Sequence, residues 1–265
     1  AVSGPLSRLT DRRSPIYRLV LWNIDLTLVD VARVSREAYA EAFRRVIGRP
    51  LVALPQTAGR TDSEIFFEAL ALNDAAVGPV GMVYDPADAG GQELLGRYTH
   101  ELELTFGARL DLLPKQGRVL PGASAAVATL AGLPGVIQSV LTGTIRPNAT
   151  AKLHAFGLDQ FFDFEIGGYG SEIYPKGAQL LRSRGRAAEK YGGDIGMDTT
   201  VYIADSFRDV EAARIGGARC VAVASGRSSA GELRDAGADL VLDDLTDTAA
   251  VIRAVGRLTS PVSAG

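Results

Sequence analysis

The chain has 265 residues, 46 % hydrophobic and 22 % charged, a globular composition that argues against disorder and leaves room for a core domain with an insert. Its 28 basic and 31 acidic residues give a formal charge of −3, so no basic field invites nucleic acid or a membrane surface. With one cysteine, Cys220, and two histidines, His100 and His154, neither an internal disulfide nor a thiolate- or histidine-rich metal site is available, and a cytoplasmic setting is expected.

Residues 1–14 are polar, carry Arg8, Arg12 and Arg13, and lack the apolar stretch of a signal peptide; they read as a flexible tail, as do residues 258–265. No run approaches the ~20 apolar residues of a membrane span. A near-continuous apolar run at 17–22 predicts the first strand, and the next is not expected until 136–141. Between them, residues 35–46, 62–71 and 91–106 repeat apolar positions at helical spacing. A crossover needs only about a dozen residues, so this interval reads as an inserted helical domain, 34–116, interrupting a core of 15–33 and 117–265. After a helix at 122–130, strands at 136–141, 164–166, 200–204, 220–224 and 240–242 alternate with helices at 148–156, 176–191, 209–215, 230–236 and 247–255. Gly157, Gly192, Gly216 and Gly237 fall where such helices should stop. The pattern predicts an α/β fold: a doubly wound parallel sheet, Rossmann-like, with an inserted α-helical cap.

Polar and acidic residues collect where these strands end, the edge at which open α/β sheets bind ligands. Asn23-Ile24-Asp25-Leu26-Thr27 follows the first strand, Thr142-Gly143-Thr144 the second, and Asp205-Ser206-Phe207-Arg208-Asp209 the strand at 200–204. Tyr174-Pro175-Lys176 opens a helix. The period of two in extended chain points Asn23 and Asp25 the same way and turns Ile24 to the core. Carboxylates brought together from separate strand ends suit a hard cation such as Mg²⁺.

In order and placement these four segments resemble the motifs of the haloacid dehalogenase superfamily, in particular its phosphoglycolate phosphatase-like and β-phosphoglucomutase-like members with a helical cap. Asn23, Asp25 and Thr27 match the first motif, Thr142 the second, Lys176 the third, and Ala204, Asp205, Ser206 and Asp209 the fourth. The resemblance implies a Mg²⁺-dependent phosphatase that acts on a small phosphate ester, a sugar phosphate or phosphorylated natural product, through an aspartyl phosphate. On this reading Asn23 holds the nucleophile position, Asp25 transfers protons, and Thr142, Gly143 and Lys176 bind the phosphoryl group, with Thr27 also facing substrate. Mg²⁺ would lie among Asn23 (through its amide oxygen), Asp25 (through its carbonyl) and Asp205, with Asp209 as ligand or anchor. Arg60 and Thr61 resemble a substrate-choosing loop of the cap, although Thr61-Asp62-Ser63-Glu64 also spells a helix capping box.

The chain departs from the family pattern at Leu26 and Ala204, where glycine is common, at Lys176, which follows a proline, and above all at Asn23, where the family has its aspartate. Asparagine is a poor nucleophile, so the resemblance implies an impaired or substrate-trapping chain. A sugar phosphomutase, which uses the same two aspartates, is the other enzymatic reading, and a phosphate-ester-binding pseudoenzyme is the reading outside catalysis. Asp25 argues against a dehalogenase, and the absence of lysine from 32 to 114 argues against a Schiff-base phosphonatase. Lys152 is the alternative to Lys176 as the phosphate-binding lysine, while His154 and Cys220 read as packing or surface residues.

Overall fold

The computed structural model describes residues 17–77, 83–171 and 175–259. The tail at 1–14, residues 260–265 and Tyr174 lie outside the described residues. Five parallel strands form the sheet in the order β4-β1-β5-β6-β7: β1 Arg18–Trp22, β4 Val136–Val140, β5 Thr200–Ala204, β6 Arg219–Val223 and β7 Leu240–Leu242. Alternate side chains serve opposite faces. Leu19 and Leu21 of β1 join Tyr202, Cys220 and Ala222 on one side, while Val20 and Trp22 join Val201, Ile203 and Val221 on the other. Both faces are apolar because both are covered. α7 Lys176–Tyr191, α8 Phe207–Gly216 and α9 Ala230–Asp235 close the first face, and α5 Ala123–Ala131, α6 Arg146–His154 and α10 Thr248–Leu258 close the second.

Between the core halves stand α1 Ala32–Ile47, α2 Asp62–Leu72, α3 Ala89–Gly107 and the single turn α4 Leu113–Gln116. The chain leaves and re-enters the core through two short antiparallel strands, β2 Val29–Asp30 and β3 Arg118–Val119, which the sequence pattern does not announce. Two-residue strands are too short to carry a period. Phe66 of α2 stacks on Tyr98 of α3 at 4.0 Å between ring centres, and α1 adds Val34, Ala38 and Phe43 to the same apolar cluster.

The expected strand at 164–166 is a turn. Asp163 bonds β4 through its N–H to the Gln138 carbonyl at 2.9 Å, but its side chain accepts from the Glu165 N–H at 3.0 Å, which bends the chain until Gly168 meets the sheet edge beside Leu141. Phe164 and Ile166 are apolar because they pack under the edge, not because they extend it. α8 runs through Gly216 and is capped one residue later by Gly217 in the left-handed conformation.

Candidate active site

β1 ends in a tight turn in which Ile24 accepts backbone hydrogen bonds from Thr27, Leu28 and Val29. Leu26 lies in its left-handed region at φ 61°, which explains why glycine suits this place. The turn buries Ile24 and brings Asn23 and Asp25 to one cavity of about 280 Å³, which Thr142, Gly143, Lys176 and Asp205 line from the sheet edge and Arg36, Tyr39 and Arg60 from the helical segment.

Asn23 is buried and its amide is held at both ends. Nδ2 donates to the Asp25 carbonyl at 2.9 Å and to Asp205 Oδ1 at 2.9 Å, with Thr27 Oγ1 at 3.2 Å, while Oδ1 accepts from Lys176 Nζ at 3.3 Å. The face turned to the other oxygens carries hydrogens and the amide oxygen is taken by the ammonium, so the amide as oriented shows N–H where a metal ligand is expected. Thr27, expected to face substrate, is not among the residues lining the cavity. It is fully buried and donates to Asp205 Oδ1 at 2.8 Å, orienting that carboxylate. Burial, and then the nearby Asp209 carboxylate, push Asp205 up to about 7.

Lysine at a helix start opposes the helix dipole, so Lys176 needs a partner, and Asp209 supplies it at 2.7 Å. Both are buried. Asp209 Oδ1 also accepts from the Tyr202 hydroxyl at 2.8 Å, and Oδ2 from Ser206 at 2.5 Å. Both oxygens are therefore engaged by neighbouring side chains, Lys176 among them. Among the described residues, no three Asp, Glu, His or Cys side chains converge as a ligand cluster.

Lys152 and Lys176 both line the cavity, and each has its own aspartate. Lys152, buried on α6 against the Phe106 ring of α3, donates to both oxygens of Asp25 at 2.8 and 2.7 Å, and Thr144 donates to Oδ2 at 3.1 Å. Asp25 keeps 39 % of its side chain exposed toward the cavity.

Thr61, read as substrate-facing, is fully buried and caps α2: its hydroxyl accepts from the Glu64 N–H, and Glu64 reaches back to the Thr61 N–H at 2.7 Å. Arg60 lines the cavity with its guanidinium paired to Glu68. Sequence reasoning missed Asp62. This carboxylate is buried and accepts from the Tyr39 hydroxyl at 2.5 Å and from the Ile145 N–H at 2.8 Å, while its own N–H donates to the Gly143 carbonyl at 2.7 Å. It stitches α1 and α2 to the loop after β4. Burial raises it to about 6 against the opposing pull of Tyr39, Lys152 and Ile145. Its only sequence signal, the capping pattern, points to a different role. His154 is exposed and bonded to Asp159, and Cys220 is a buried strand residue whose thiol is pushed up by burial.

A parallel sheet with polar side chains gathered at its carboxyl edge places the chain among α/β proteins that bind ligands there. The sequence from 17 to 217 matches the haloacid dehalogenase-like hydrolase model, and the chain belongs to that family. Solved structures share the fold. A hydrolase from Pseudomonas syringae is 20 % identical with a TM-score of 0.60, covering 89 % of this chain and 98 % of its own. A predicted phosphoglycolate phosphatase from Haemophilus somnus is 19 % identical, with a TM-score of 0.58 and the same coverage. CbbY from Rhodobacter sphaeroides, solved in complex with phosphate, is 22 % identical with a TM-score of 0.54, covering 87 % of this chain and 96 % of its own. No curated protein sequence matches. No helix among the described residues is long and apolar enough to cross a membrane.

Proposed function

We propose that the chain binds a small phosphate ester, a sugar phosphate or phosphorylated natural product, in the cavity between helical segment and sheet edge, and that with asparagine at residue 23 it holds the ester rather than hydrolysing it. The observation that carries this reading is the Asn23 amide beside Lys176, on the same cavity as Asp25 and Thr142. Lys176 and the 142–144 loop would take the phosphoryl oxygens, and Asp25, held by Lys152 and Thr144, would pass a proton to the bridging oxygen. Residues 34–116 would act as a cap hinged at β2 and β3. A relative of this fold solved with phosphate supports phosphate as the recognised group.

An amide has no anionic oxygen to attack phosphorus, so the aspartyl-phosphate route stops at its first step. The family implies Mg²⁺, which takes oxygen ligands. Asp205 and the Asp25 carbonyl are suitable donors, but residue 23 turns N–H toward them, so the residues present do not fit the ion. The test is a screen of phosphate esters in Mg²⁺-containing buffer on this chain and on Asn23→Asp. Hydrolysis is expected only after the substitution, with inorganic phosphate bound by both proteins. Hydrolysis by neither, together with no phosphate binding, would overturn the proposal.

A further inference from the structure

We infer that the Asn23 amide takes up the oxygens a divalent cation would use in this chain, so that it binds phosphate esters without a metal. The ligand half of this inference rests on the reading of the cavity given above; the cation half does not. A Mg²⁺ ion shared by Asp205 and the Asp25 carbonyl would sit about 2.1 Å from each oxygen. Asn23 Nδ2 borders that gap, 2.9 Å from both oxygens, and its two hydrogens satisfy them. Thr27, donating to Asp205 at 2.8 Å, completes the arrangement.

The amide orientation is determined from both ends. Turning it over would set Oδ1 against two oxygens that both accept hydrogen bonds here, and would aim N–H at the Lys176 ammonium. A cation entering the gap must displace these bonds and force that reversal. The geometry thus does with a neutral amide one task of a metal, holding the loop after β1 against the loop after β5. It also removes the carboxylate charge at residue 23 that a metal would otherwise offset. Lys176 remains beside residue 23, one of several cationic side chains that line the cavity.

The experiment titrates Mn²⁺, a paramagnetic stand-in for Mg²⁺, into this chain and into Asn23→Asp by electron paramagnetic resonance. It also measures inorganic phosphate binding by calorimetry in EDTA and in Mg²⁺. The expected results are Mn²⁺ binding at least tenfold tighter in Asn23→Asp, and a phosphate affinity of the unsubstituted chain that changes less than twofold with Mg²⁺. Mn²⁺ binding within tenfold of the variant, or phosphate binding by the chain that depends on Mg²⁺, would overturn the inference. Because the substitution buries a charge and could impair folding, a second reading uses the chain alone with labelled asparagine. The Asn23 side-chain N–H₂ protons should exchange slowly with solvent and keep their NMR positions in Mg²⁺; a shift or loss of protection on adding Mg²⁺ would overturn the inference. Failure of phosphate to bind either protein would remove the ligand reading and its metal-independent half, while the Mn²⁺ titration would still decide the cation half.

Discussion

Exchanging a carboxylate oxygen for N–H₂ at residue 23 alters a single atom, yet it changes both what can attack phosphorus and what can fill the gap beside Asp205. Losing the nucleophile should cost at least ~10³-fold in turnover, on the order of 4 kcal/mol in the barrier. Asp62 allows a separate test. Its pKa of about 6 in the folded protein lies above the ordinary ~3.9 of an unfolded aspartate. The folded state therefore binds the extra proton between those values, and ionising Asp62 erodes stability as pH rises from about 4 to 6, by roughly 3 kcal/mol for the two-unit gap. Above that window Asp62 adds no further slope. Asp62→Asn keeps the shape and cannot ionise, so it should gain stability relative to the parent across that window in urea melts. Parallel curves for the two proteins would show that Asp62 does not titrate there.

At the scale of elements, the start of α2 and the loop after β4 meet closely enough to exclude side chains. A Cβ on Gly143 would fall 1.7 Å from the Arg60 carbonyl oxygen. Gly143→Ala must then push the two elements apart and break the 2.7 Å bond from Asp62 N–H to Gly143, lowering the melting temperature and weakening phosphate binding at least tenfold. A variant with unchanged melting and binding would show that this docking does not position the loop. Thr61→Ala removes the capping box of α2 and should cost ~1 kcal/mol in denaturant melts. Phosphate affinity should not change; a loss of affinity without a loss of stability would restore the substrate-facing reading of Thr61. These contacts also mark where the sequence stops being legible. Buried parallel strands and amphipathic helices carry period and length, so β1, β4 to β7 and the main helices can be read from it. The segment at 164–166 has a strand's apolar spacing, and the bend made with the hydrogen bond from Glu165 N–H to Asp163 is not announced by that spacing. Motif residues could be placed at the sheet edge, but not their partners. That Lys152 answers Asp25 and Lys176 answers Asp209 depends on how α6 and α7 cross the sheet, which no local pattern encodes.

At the scale of the molecule, one apolar cluster runs from Val20 and Trp22 of the sheet through Val34, Phe43, Phe66 and Phe106 of the helical segment. A shared core predicts shared unfolding. Trp22, the single tryptophan, is fully buried and bonded through Nε1 to Gln138 at 2.9 Å, so its fluorescence reports the sheet, while far-UV circular dichroism reports mainly the helices. The two signals should change together in urea; loss of helix before Trp22 responds would mean that the helical segment melts on its own. The role of residue 23 is decided by the intact mass of the whole chain, acid-quenched after incubation with a phosphate ester that Asn23→Asp hydrolyses. A phosphoryl group is expected on Asn23→Asp and none on the chain with Asn23 verified; a phosphoryl group carried by the asparagine chain would show that residue 23 does not stop the transfer.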